Sequence, residues 1–283
     1  MQKSASGEYF VGKELTENRR EEAILIRHYG VSPWRAVVLH GGPGAPGSAG
    51  GLAAMAGRMA GTVEPMQSRE SIAGLVDELH GQIADLVYEP FVLIGHSWGA
   101  WLAILYAARH PALVGRVVLV GAGPLDAAYV PQINERRNSR LTEAEQREYV
   151  RATVALESDG DDEEKRDALR TLEALTRKSD SYRIAAQAEP EPLPFDALQH
   201  AAVWKEAQGL RVGGGLLAAA AAVRAPLTIL HGEVDPHPAA GVTEPLRKLG
   251  KTFDARIFPR CGHYPFREEY AASDFSRALR ACF

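Results

Sequence analysis

The sequence predicts an α/β fold: a doubly wound, mostly parallel sheet with an inserted helical cap. Three observations predict it. Four short runs, 36–40, 91–95, 117–121 and 227–231, are apolar on both faces, as strands covered by helices on two sides must be. Helical periodicity falls between them, which implies right-handed crossovers. One long interval, 124–224, breaks that alternation without offering a strand.

Taken in order, 24–29 is a weaker strand candidate, followed by the apolar run 36–40 and a Gly/Pro-rich loop. A short strand is expected at 62–64 and a helix over 71–87. The run 91–95 leads into a helix over 98–109, and 117–121 closes this half of the sheet. Within the interval, Thr142 and Glu145 form a capping-box signature for a helix running to about residue 156. A second helix carries Ala168, Leu172 and Leu175 on one face, and Pro190, Pro192 and Pro194 then forbid regular helix. The sheet resumes with 227–231, a helix over 243–249 and an edge candidate at 255–258. The expected division is therefore a core of 1–123 and 225–283 around a helical cap of 124–224.

Composition limits the partners. With 283 residues, 46% hydrophobic and 24% charged, the chain can bury a large core. A net charge of −4 leaves no basic footprint for nucleic acid. No run approaches the roughly 18 apolar residues of a membrane span. Only Cys261 and Cys282 are present, which fits a reducing compartment, and a cytoplasmic protein acting on a small molecule is the expectation. Residues 141–191 hold 14 acidic against 8 basic residues, read as solvated helix faces.

The chemistry is concentrated in four short stretches. Gly95-His96-Ser97-Trp98-Gly99 fits G-x-S-x-G between a strand and a helix. At such a junction a serine hydroxyl is pushed out at the end of the sheet, and glycines on either side let the chain turn sharply. A hydroxyl needs a base oriented by a third group, and in this architecture the order is Ser, acid, His. Asp235 lies just past the run 227–231, and His263 lies in a loop after the last strand. Glu233 and Asp126 are rival acids, and His237 reads as a surface histidine. His40-Gly41-Gly42-Pro43-Gly44 follows the second strand, so the oxyanion would meet the N–H groups of Trp98 and of Gly42 or Gly41.

Two other readings fit less well. Gly42 to Gly47 matches G-x-G-x-x-G, with Glu64 ending the next strand, but Pro43 and Pro46 remove N–H groups from an anion-binding turn. His231, Asp235 and His237 have a metal-like spacing that nothing places on one face, so no metal and no cofactor are expected. Cys261 reads as a packing residue.

Together these stretches resemble the α/β-hydrolase superfamily, with proline-iminopeptidase-like serine hydrolases nearest. The likeness covers about 24–123 and 226–283. It implies an acyl-enzyme mechanism on a small ester or amide. The alternatives are an aminopeptidase and a non-catalytic binding homologue. Two departures separate the chain from those peptidases: His96 stands where they carry Gly, and 64–69 lacks their Asp-x-Arg-Gly stretch. In that family cap glutamates hold the substrate's amino group, a role for which Glu189 and Glu191 are the available candidates.

Overall fold

The computed structural model describes residues 25–157, 162–186 and 190–283. Its first half runs β1 (Ile26–Tyr29), β2 (Trp34–Leu39), α1 (Gly50–Ala56), β3 (Gly61–Pro65), α2 (Ile72–Ile83), β4 (Val87–His96), α3 (Trp98–Arg109) and β5 (Val114–Val120). Among the described residues, five α-helices follow with no strand between them: α4 (Val130–Asn138), α5 (Glu143–Glu157), α6 (Asp162–Asp180), α7 (Ala197–Val212) and α8 (Gly215–Ala222). The chain then completes the sheet with β6 (Leu227–Gly232), α9 (Ala240–Lys248), β7 (Phe253–Phe258) and α10 (Ala272–Arg280).

The seven strands are ordered β1-β3-β2-β4-β5-β6-β7, and all pairs are parallel except β1 with β3. All seven strand expectations correspond to strands. The two-faced apolar runs have a direct explanation in the pleat. Val37, Leu39, Leu93, Val117 and Leu119 face one core, shared with α2, α3, α8 and α9. Val38, Ile94, Val118, Val120 and Leu230 face the other, shared with α1 and α10.

Boundaries moved where the sheet outcompeted local pattern. The helix expected to reach residue 87 ends at Ile83, and Val87 instead pairs with Trp34. Pro90 cannot donate to a ladder, and the register shifts beside it between Phe91 and Val92. Residues 253 and 254 extend β7, an exposed edge whose side chains show little apolar alternation. The capping box is formed: Thr142 Oγ1 accepts from the Glu145 N–H at 3.3 Å, and the Glu145 carboxylate accepts from the Thr142 N–H at 2.8 Å. Among the described residues, no helix is long and apolar enough to cross a membrane.

Candidate active site

Ser97 stands at the turn between β4 and α3 with φ 55° and ψ −117°. Such a backbone is sparsely populated for a non-glycine residue and costs about 1–3 kcal/mol, so the surroundings must hold it. They do so sterically. A Cβ on Gly95 would lie 2.2 Å from the Gly99 carbonyl oxygen, and one on Gly99 would lie 2.4 Å from that of Leu39. The glycines of the pentapeptide are thus required by contact between β4, α3 and β2. Ser97 N–H donates to the Val120 carbonyl at 2.9 Å, tying the turn to the end of β5.

Gly121, the next residue along, brings the other two candidates to the same rim. A Cβ there would meet His263 Nδ1 at 3.3 Å and Asp235 Oδ2 at 3.4 Å. The His263 ring donates from Nδ1 to Asp235 Oδ2 at 2.9 Å, and both residues are buried. Nδ1 therefore carries the proton and Nε2 is left as the acceptor. Among the described contacts the Ser97 hydroxyl makes no hydrogen bond to that ring. Such bonds commonly tighten only when substrate is bound.

Burial alone would lower the His263 pKa, but the charge and hydrogen bond of Asp235, helped by Asp180, outweigh it and raise it above 6.5. Burial likewise penalises the Asp235 carboxylate, yet its three histidine neighbours hold it well below the ordinary 3.8. The rival acids are occupied elsewhere. Asp126 Oδ1 accepts from the Ala128 N–H at 2.9 Å, and Glu233 is exposed beside the Arg260 N–H.

His96, the departure from the peptidase pattern, donates from Nε2 to the His263 carbonyl at 3.0 Å. Burial pushes its pKa down to about 3, so it stays neutral. On the other flank, Gly41 lies against Ser97: a Cβ there would be 3.4 Å from the serine Cβ. Gly42 has φ 112°, a backbone that favours glycine. His40 Nε2 accepts from the Gln67 N–H at 3.1 Å, which leaves Nδ1 to donate to the Gly41 carbonyl at 2.9 Å. The Gln67 side chain then accepts from the Trp98 indole N–H at 2.9 Å.

The helices between β5 and β6 contribute directly to this rim. Arg136 of α4 donates to the Asp235 carbonyl at 2.8 Å, and Arg140, just past the end of that helix, to that of Val234 at 3.3 Å. Arg137 forms a bidentate pair with Asp180 at 2.8 and 2.6 Å, and the Asp180 carbonyl accepts from the His263 N–H at 2.7 Å. Glu268, fully buried, accepts from the N–H groups of Tyr182, Arg183 and Gly262 at 2.8, 2.6 and 3.0 Å. Ahead of α7, Leu193 and Asp196 donate their N–H groups to the carbonyls of Pro46 and Gly44, at 3.0 and 2.7 Å. His200 Nδ1 lies 2.8 Å from the Pro43 carbonyl.

Several sequence expectations change here. His237 is no surface histidine: only 16% of its side chain is exposed, and it contacts Asp235. The glycine-rich loop is capped by 193–200, and Glu64 is buried against the Tyr29 hydroxyl at 2.8 Å, so the fingerprint cannot receive a dinucleotide. Glu191 is exposed, its carbonyl held by Arg27, and Glu189 lies outside the described residues. Burial raises the thiol pKa of Cys261, in keeping with packing. Potential metal-donor atoms of Asp235, His237 and His263 lie within 4.8 Å of one another, but both imidazoles spend Nδ1 on the carboxylate. A cavity of about 510 Å³ opens beside Gln67, Pro46 and Pro194, and its lining includes none of Ser97, Asp235 and His263.

A strand-turn-helix serine beside a buried Asp–His pair, at the carboxyl ends of parallel strands, is the arrangement of an α/β hydrolase. The chain belongs to that family, the alpha/beta hydrolase fold, whose profile matches residues 63–270. Solved structures agree on the fold. An alpha/beta fold family hydrolase from Bacillus anthracis str. Sterne is similar with TM-score 0.68 at 15% identity, over 92% of this chain and 95% of that one. VinJ is similar with TM-score 0.66 at 18% identity, over 99% of both chains. The proline iminopeptidase of Mycobacterium smegmatis gives 0.59 at 16% identity, over 98% of both. No curated protein sequence matches the chain.

Proposed function

We propose that this chain is a serine hydrolase that cleaves a small carboxylic ester or amide through an acyl-enzyme. The observation that carries this reading is the buried bond from His263 to Asp235 at 2.9 Å, at the rim where Ser97 is held in its strained turn. Ser97 Oγ attacks the carbonyl carbon while His263 Nε2 takes its proton, and Asp235 stabilises the imidazolium. The oxyanion is held by the N–H groups of Trp98 and Gly42, or of Gly41 in place of Gly42. Collapse returns the proton to the leaving group, and water then releases the acid by the same steps in reverse. No cofactor enters this sequence.

Residues 124–224 serve as the cap over the acyl site in this reading, and their contacts with both loops support it. An aminopeptidase reading has the family resemblance behind it but no contact: the Glu191 side chain points to solvent.

The test is Ser97→Ala, assayed on a panel of acyl esters, arylamides and a prolyl-arylamide. Turnover should fall by roughly 10⁴–10⁶-fold with the fold retained. Labelling of the wild type by a fluorophosphonate should be lost in parallel. Hydrolysis undiminished in that variant would remove the reading, and a preference for the prolyl substrate would replace it with the aminopeptidase.

A further inference from the structure

We infer that His237 is a positioning residue for the Asp235–His263 pair, fixing one carboxylate oxygen so that the other is presented to the base. This rests on the serine-hydrolase reading above. Asp235 has no access to solvent, so each lone pair must find its donor within the protein. Oδ1 is filled by residue 237 twice, by its backbone N–H at 2.9 Å and by its ring Nδ1 at 3.1 Å. Oδ2 receives His263 at 2.9 Å, with His231 Nε2 3.2 Å away. His231 Nε2 lies closer still, 2.7 Å, to the His237 carbonyl, and so fastens the backbone from which both Oδ1 donors come.

A carboxylate accepts only, which makes Nδ1 the protonated nitrogen of His237. Its ring lies 4.6 Å from that of His263, centroid to centroid and tilted by 35°. The charged and titratable groups around it are few. Asp235 comes from its own loop, His231 from β6 and His263 from the following loop. Arg136 and Arg137 come from α4, and Asp180 from α6. Burial lowers the His237 pKa, so it is neutral when His263 works as a base.

Two effects follow from losing the ring donor. The carboxylate, held at Oδ1 by the backbone N–H alone, orients the His263 ring less strictly, which lowers turnover without touching substrate affinity. Its charge, no longer shared with the His237 N–H, falls more heavily on His263 and raises that pKa. His237→Phe keeps a ring of similar breadth but no donor, and His237→Asn restores an amide N–H without an ionisable group.

The expected result for the Phe variant is a kcat lower by about tenfold, the worth of one such bond, with KM unchanged. The acid limb of kcat/KM should move to higher pH, and the Asn variant should recover most of both. Melting temperatures and fluorophosphonate labelling rates accompany each assay. A Phe variant with wild-type kcat and acid limb overturns the inference. So does a loss of activity in both variants that tracks melting temperature while the acid limb stays in place. If the wild type itself resists the fluorophosphonate, the serine-hydrolase reading fails and takes this one with it. Labelling of the wild type alongside an unmoved acid limb removes only the role of His237.

Discussion

At the His263 imidazole, burial and charge oppose each other, and charge prevails. In the proposed mechanism the base must be unprotonated to accept the serine proton, so the raised pKa predicts an acid limb of activity above 6.5. A pH–rate profile of kcat/KM checks this; a midpoint below 6.5 would contradict it. The same pair has a separate stability signature. A histidine with a raised folded pKa contributes fully below 6.5 and loses that contribution as pH rises through the folded value. An aspartate with a depressed one contributes above 3.8 and loses it as pH falls through its own. The melting-temperature gap between wild type and Asp235→Asn should therefore be widest between 3.8 and 6.5, below the range where activity appears. In turnover, that variant should lose about 10⁴-fold, because asparagine favours the wrong imidazole tautomer. Ser97, Asp235 and His263 could be put forward as candidates from sequence because each follows a strand in a recognisable order. His237, Gln67 and Arg136 could not, since each is defined by a partner that only folding brings near.

Among the elements, the stretch 193–200 behaves as a strap across the glycine-rich loop. Pro190, Pro192 and Pro194, which lead into it, were read as forbidding helix, and the chain over 190–196 is indeed irregular, with helix resuming only at Ala197 behind the Asp196 N-cap. What periodicity could not reveal is where the freed backbone groups go. They are spent on the carbonyls of Gly44 and Pro46, with His200 on Pro43. In His200→Phe the loop loses one tie, so kcat should fall on the order of tenfold while KM changes little. Affinity for a boronate that mimics the tetrahedral adduct should fall with it, as measured by inhibition. Strands were legible because burial on both faces leaves an uninterrupted apolar run. The ends of α2 and β4 were not, because pairing of Val87 with Trp34 is a long-range contact that overrides the local helical pattern.

For the molecule as a whole, the five helices between β5 and β6 are joined to the core by buried polar contacts. The seam is braced from within those helices by Arg137 of α4 and Asp180 of α6, an ion pair whose aspartate side chain is 2% exposed. Breaking such a pair leaves an uncompensated buried charge. Arg137→Met should cost about 3–5 kcal/mol in denaturant unfolding, and adding Asp180→Leu should recover much of it. The Glu268 carboxylate accepts three main-chain N–H groups from both sides of the seam between those helices and the core. In many architectures an insertion can be exchanged to alter substrate preference while the reaction centre stays as it was. Here the peptide N–H of His263 is anchored to the carbonyl of Asp180, the last residue of α6. If the proposed mechanism holds, a chimera carrying foreign helices would have to rebuild the footing of its own proton acceptor, and selectivity and turnover would change together.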